Sequence, residues 1–179
     1  TSALSREDIS VVPFHNVPPL PSDGEYHVII TSAVYVPQET EIPEHTLYLV
    51  PRRLIAGVGC RAGVPEEDIL HALTEACRMI DRDISWIDFL ASTEVKSNEA
   101  GLLAAARTLD RDICFYTQDE LMYMVEKYGL IESNFVKKTI GVGNVSEAAA
   151  LCAAGKEGGR IALGKTIFGK VTVALLWEK

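Results

Sequence analysis

The sequence predicts an α/β fold, a three-layer α/β/α domain around a mixed, mostly parallel sheet, preceded by a small loop-rich linking segment. Three observations carry this expectation. After residue 53, short apolar runs alternate with stretches whose apolar residues recur at spacings of three and four, the pattern of strands covered by helices. Glycine-rich turns join several of these runs to the start of a helix. Seven of the eight prolines fall within residues 1–51, so the first part is read as a linking segment, 1–53, and the remainder as the α/β domain, 54–179.

Within the linking segment, Tyr26–Thr31 and Thr46–Val50 are the two β-like runs, rich in the side chains that suit a pleated surface. Leu54–Val58 then reads as a buried strand. Pro65–Ile80 reads as a helix whose stripe is Ile69, Leu70, Leu73, Ala76, Cys77 and Ile80. Pro65 suits a helix start, where its missing N–H costs nothing, and Glu66, Glu67 and Asp68 oppose the positive end of the helix dipole. Further along, Ile87–Ala91 and Ile113–Tyr116 read as strands, and Glu99–Leu109, Gln118–Tyr128 and Val145–Ala154 as helices. The last two runs, Arg160–Leu163 and Gly169–Leu176, read as strands turned around Phe168 and Gly169, which makes the sheet mixed.

Composition narrows the function. The 17 basic residues against 25 acidic ones leave a net charge of −8, which argues against nucleic acid, since phosphate contacts need clustered Lys and Arg. A small polyanion is compatible, because a few placed arginines and helix N-termini bind carboxylates within an acidic protein. Cys60, Cys77, Cys114 and Cys152 form no CxxC pair, and His15, His27, His45 and His71 no HxH or HxxxH. Reduced thiols and no protein-bound metal are therefore expected. With no apolar run near the roughly 20 residues that span a bilayer and no signal-peptide pattern, a cytoplasmic protein without a membrane partner is expected. A chain starting at Thr1 rather than Met is expected to be part of a longer one.

Three polar or glycine-rich segments are candidate sites. In Gly57-Val58-Gly59-Cys60-Arg61-Ala62-Gly63, glycines permit positive φ and close approach, so backbone N–H groups can form an anion nest with Arg61 as a bidentate partner. A tight strand-to-helix turn explains the same residues. Gly141-Val142-Gly143-Asn144-Val145-Ser146-Glu147 repeats the chemistry, with Asn144 or Ser146 as the helix cap; there a glycine loop plus capping box is the simpler account. Ser92–Glu99 follows a strand end, where α/β proteins place ligands; Thr93, Lys96 and Glu99 suit carboxylate binding or proton transfer, and equally a solvated loop. The spacing departs from GxGxxG, so a nucleotide-binding regulator is weakly supported.

In order and spacing, the Gly57–Gly63 loop, Thr93–Lys96 before Gly101-Leu102, Gly141–Gly143 with Ser146–Ala150, and Gly169–Ala174 resemble the C-terminal domain of cobalamin-biosynthesis protein G (CbiG), shared with CobE. The resemblance covers about residues 54–176. Two positions depart from it: Ala62 stands where a second basic residue is usual, and Glu94-Val95 where an aspartate and leucine are frequent. Full-length members also carry an N-terminal domain whose glycine-rich motif has no counterpart here, and residues 1–53 resemble the family's middle segment. The resemblance implies the anaerobic-pathway hydrolase that opens the δ-lactone of cobalt-precorrin-5A and releases acetaldehyde. Cobalt is then carried by the substrate, and no cofactor of the protein's own is expected. It implies substrate contacts from Gly57, Gly59, Cys60, Arg61, Gly63, Thr93, Lys96, Gly141, Gly143, Asn144 and Ser146, with Glu147 or Glu99 as base. The expected partners are the corrinoid, the protein's own N-terminal domain and other cobalamin-pathway enzymes. The rival expectation is a module that only binds the corrinoid or a partner, with the chemistry in that N-terminal domain.

Overall fold

A computed structural model describes residues 27–30, 46–49, 52–131, 144–155 and 158–178. The chain divides into two compact units, Thr1–Pro51 and Arg52–Lys179. In the first, β1 (His27–Ile30) and β2 (Thr46–Leu49) pair in parallel, His27 opposite Thr46.

In the second unit the order is β3 (Leu54–Cys60), α1 (Glu66–Arg78), β4 (Ile87–Thr93), α2 (Ala100–Thr108), β5 (Ile113–Tyr116), α3 (Gln118–Tyr128), α4 (Val145–Ala153), β6 (Gly159–Phe168) and β7 (Val171–Glu178). The strands form one sheet in the order β5-β4-β3-β7-β6. β3, β4 and β5 pair in parallel, and β7 runs against both β3 and β6. Four strands therefore share one direction and β7 opposes them. The reason is local: β6 and β7 are joined at Gly169-Lys170, Gly169 having φ 60°, and so short a link admits only an antiparallel pair.

Two apolar clusters lie on the two faces of the sheet. Leu54, Ala56, Val58 and Leu90 meet Ile69, Leu73 and Cys77 of α1 and Leu102 and Ala105 of α2. Ile55, Ala91 and Leu176 meet Leu121 and Val125 of α3 and Ala148–Leu151 of α4. The steps β3-α1-β4 and β4-α2-β5 move in one direction across the sheet. With right-handed crossovers, both helices therefore fall on one face. The chain then returns over the other face through α3 and α4 to the far edge. Among the described residues no helix is long and apolar enough to cross a membrane.

The helices start where their caps allow. Thr117 accepts the Glu120 N–H while the Glu120 carboxylate takes the Thr117 N–H, a reciprocal box that opens α3. Gly129 in the left-handed conformation closes it. In α4, Asn144 Oδ1 accepts the Glu147 N–H at 3.3 Å.

Candidate functional site

The C-terminal ends of β3 and β4 gather most of the expected site residues. Cys60 is the last residue of β3, with exposed Arg61 and Gly63 following it. Ser92 and Thr93 end β4, and a single 3₁₀ turn, Glu94–Lys96, carries the chain to Glu99 at the head of α2. Lys96 and Glu99 form an ion pair at 2.9 Å whose side chains are only 8% and 14% exposed. The other Glu99 oxygen accepts the Gly63 N–H at 2.5 Å, tying the β3 loop to the head of α2. The Lys96 bond and the Gly63 amide together hold the Glu99 carboxyl below the usual range, which makes it a weak base. Burial pushes the Cys60 thiol up; Lys96 opposes that shift and Glu99 adds to it.

An ammonium has three N–H donors, and the Lys96–Glu99 bond uses one of them. The Thr93 hydroxyl is buried with no hydrogen-bond partner, as is that of Ser146 in the first turn of α4. Phe89 and Ala91 pack on the α3/α4 side, so strand alternation puts Thr93 on that side too. Buried polar groups are ordinarily bonded, and these two hydroxyls, on the α3/α4 side of the sheet, are exceptions among the described residues.

The structure places several of the expected site residues in roles within the fold. Gly57 and Gly59 lie inside β3, not in a loop, and no nest forms from their amides. The Arg61 N–H bonds the Lys170 C=O and the Glu178 N–H the Arg53 C=O, so alternation makes 57/174 and 59/172 the hydrogen-bonded pairs. What approaches Gly57 is α4 rather than a ligand: a Cβ there would lie 1.8 Å from the Ser146 carbonyl oxygen. Asn144 also serves the fold, since its amide donates to the Ile131 C=O and to the Glu147 carboxylate. Glu147 is likewise engaged at both oxygens, by that amide and by the Lys165 N–H at 2.7 Å. Glu99 thus bonds Lys96 and Gly63, whereas Glu147 bonds Asn144 and Lys165. Gly141 and Gly143 lie outside the described residues.

Sequence reasoning named Ser92 only as the start of a polar run and passed over Lys165. Ser92 donates to the Val58 C=O at 2.7 Å, pinning β4 to β3; its place before Thr93 was the available signal. Lys165, in an edge strand with no motif around it, carried none.

Fold and site define a class: a three-layer α/β/α domain with a buried ion pair and orphaned hydroxyls at the C-terminal edge of its parallel strands, where such sheets take ligands. The model of the family described as "Cobalamin synthesis G C-terminus" matches residues 54–176. The chain belongs to that family and thus to cobalamin biosynthesis. It is 27% identical over 115 residues to a probable cobalt-precorrin-5A hydrolase of Methanocaldococcus jannaschii, covering 64% of this chain and 36% of the relative. It is 31% identical over 110 residues to the cobalt-precorrin-5A hydrolase of Salmonella typhimurium, covering 62% and 31%. The chain thus spans about a third of the length of these relatives. Among solved structures, CobE, a protein from the cobalamin biosynthetic pathway, superposes with TM-score 0.66 at 31% identity, covering 71% of this chain and 91% of CobE. The cobalamin biosynthesis protein ChiG of Agrobacterium tumefaciens does so with TM-score 0.55 at 33% identity, covering 69% and 96%.

Proposed function

We propose that this chain is the corrinoid-binding part of a cobalt-precorrin-5A hydrolase, the enzyme that opens the substrate's δ-lactone and releases acetaldehyde. One observation carries the binding role: the buried Lys96–Glu99 pair, in which one ammonium donor is used, stands just past the strand ends that also carry exposed Arg61 and the unpartnered Thr93 hydroxyl. A corrin precursor is rimmed by acetate and propionate groups. A fixed ammonium and an exposed guanidinium are suitable donors to two of them, each contact contributing about 1.5–3 kcal/mol. Glu99 holds the ammonium in place.

The hydrolytic step needs a base for water and a donor for the departing oxygen. Glu99 and Glu147 accept hydrogen bonds at both oxygens, and the Glu99 carboxyl is held below its usual range. That favours a division of labour in which this domain anchors the substrate periphery and the groups that make and break bonds lie in residues beyond this span.

The test pairs two measurements. Titration of the chain with a cobalt corrinoid bearing free carboxylates, followed by its visible absorbance, should give saturable binding that Arg61→Ala weakens about tenfold or more without lowering the melting temperature. Anaerobic acetaldehyde release from cobalt-precorrin-5A should be slow with this chain alone and fast with a full-length relative. Full turnover by the chain, lost in Glu147→Gln, would place the base here instead.

A further inference from the structure

β3 and β7 stay in register to their last pair, Cys60 opposite Val171. The ladder then runs one step further, the Arg61 N–H bonding the Lys170 C=O at 3.0 Å. Arg61 and Lys170 therefore stand opposite each other at the C-terminal end of β3, and both are exposed. Lys170 is fixed there by the two-residue turn that joins β6 to β7, in which Gly169, with φ 60°, takes the left-handed position.

Like charges directly opposite each other on an antiparallel pair repel and destabilise it. Folding therefore gains nothing from two cations at this position, and the turn does not ask for a lysine, because Lys170 itself keeps an ordinary φ. The Lys96 ammonium is close at hand: it bonds Glu99, which also takes the Gly63 N–H two residues past Arg61. Neighbouring strands lie about 4.8 Å apart, so the order β4-β3-β7 spreads the end of β4, Arg61 and Lys170 over about 10 Å of one sheet edge.

We infer that Arg61 and Lys170 together clamp one peripheral carboxylate of the ligand, whose charge relieves the repulsion between them, while the Lys96 ammonium meets another arm of the same ring. The inference rests on the corrinoid reading above and adds the hairpin between β6 and β7 to the site. A carboxylate between the two cations receives charge-assisted bonds from both. An amide in its place brings no charge and leaves the cations facing each other, so the clamp selects acid-bearing rings over amidated ones.

The probes are cobyrinic acid, whose acetate and propionate arms are free carboxylates, and its fully amidated counterpart. Both are titrated against the wild-type chain and its Lys170→Met, Lys170→Arg and Lys170→Glu variants, and the ligand-free chains are melted in parallel. Wild type should prefer the acid. Lys170→Met should weaken acid binding at least about tenfold, the lower end of what a charge-assisted bond contributes, yet melt at or above the wild-type temperature because the repulsion is gone. Lys170→Arg should keep most of the affinity. Lys170→Glu, which gives Arg61 a partner of opposite charge, should melt highest and bind the acid worst. Equal binding of the acid by wild type and Lys170→Met overturns the clamp and leaves the corrinoid reading standing. So does a Lys170→Met variant whose melting temperature falls along with its affinity, or a wild type that binds the amide as tightly as the acid. No binding of the acid by wild type overturns both.

Discussion

Replacing Gly57 by alanine tests the close packing of α4 on the sheet. The added methyl would lie 1.8 Å from the Ser146 carbonyl oxygen, 2.8 Å from its carbonyl carbon and 3.0 Å from the Ala150 Cβ. Two of these are helix backbone atoms, so no rotamer change relieves the contact and α4 must lift by on the order of 1.5 Å to restore ordinary separation. The lift loosens Ala148, Ala149, Ala150 and Leu151 from Ile55, Ala91 and Leu176. Overpacking of this kind costs about 3 kcal/mol, or roughly 12 °C of melting temperature at about 4 °C per kcal/mol for a unit of this size. Gly63→Ala is the matched control: nothing lies within 4 Å of its Cβ, but φ is +70°, so it should cost only about 1–2 kcal/mol. Circular-dichroism melts and urea titrations of the two variants decide the matter. A Gly57→Ala variant that melts within about 4 °C of wild type, or above Gly63→Ala, would refute the account of why glycine stands there.

Breaking the buried ion pair with Lys96→Met should cost about 3 kcal/mol by urea unfolding, because Glu99 is left buried and uncompensated, and adding Glu99→Gln should return part of that loss. The folded-state pKa of Glu99 is depressed. Its contribution is therefore complete above its ordinary value of 4.5 and disappears as pH falls through the lower folded value. Below pH 4.5 the wild-type melting temperature should accordingly fall more steeply than that of Glu99→Gln. Asn144→Ala removes the α4 cap and the Ile131 and Glu147 contacts, and should cost about 2 kcal/mol in the same urea assay. Among the thiols, Cys114 is exposed, whereas burial pushes Cys77 and Cys152 up to about 11. Mass spectrometry of chain briefly treated with iodoacetamide at pH 8 should find Cys114 modified first.

Several elements were legible in the sequence because their determinants are local. The 3.6-residue stripe and acidic first turn of α1, the Gln118–Tyr128 helix closed by Gly129, and the Ile113–Tyr116 run each report on their own backbone, and each forms within a residue or two of where the pattern puts it. The family is legible for a related reason: its glycine-rich and polar motifs recur in fixed order along the chain. What those motif residues do was decided only by tertiary structure. Gly57 and Gly63 read alike in sequence, yet one admits a helix and the other a left-handed turn. Lys96 and Glu99 are an ordinary i,i+3 pair until the end of β3 brings the Gly63 amide against them and solvent is excluded. Lys165 becomes noteworthy only because β6, at the far end of the order β5-β4-β3-β7-β6, brings it to Glu147 of α4. Periodicity and capping are properties of a few consecutive residues, whereas burial and bonding partner depend on which distant segment the sheet order sets alongside.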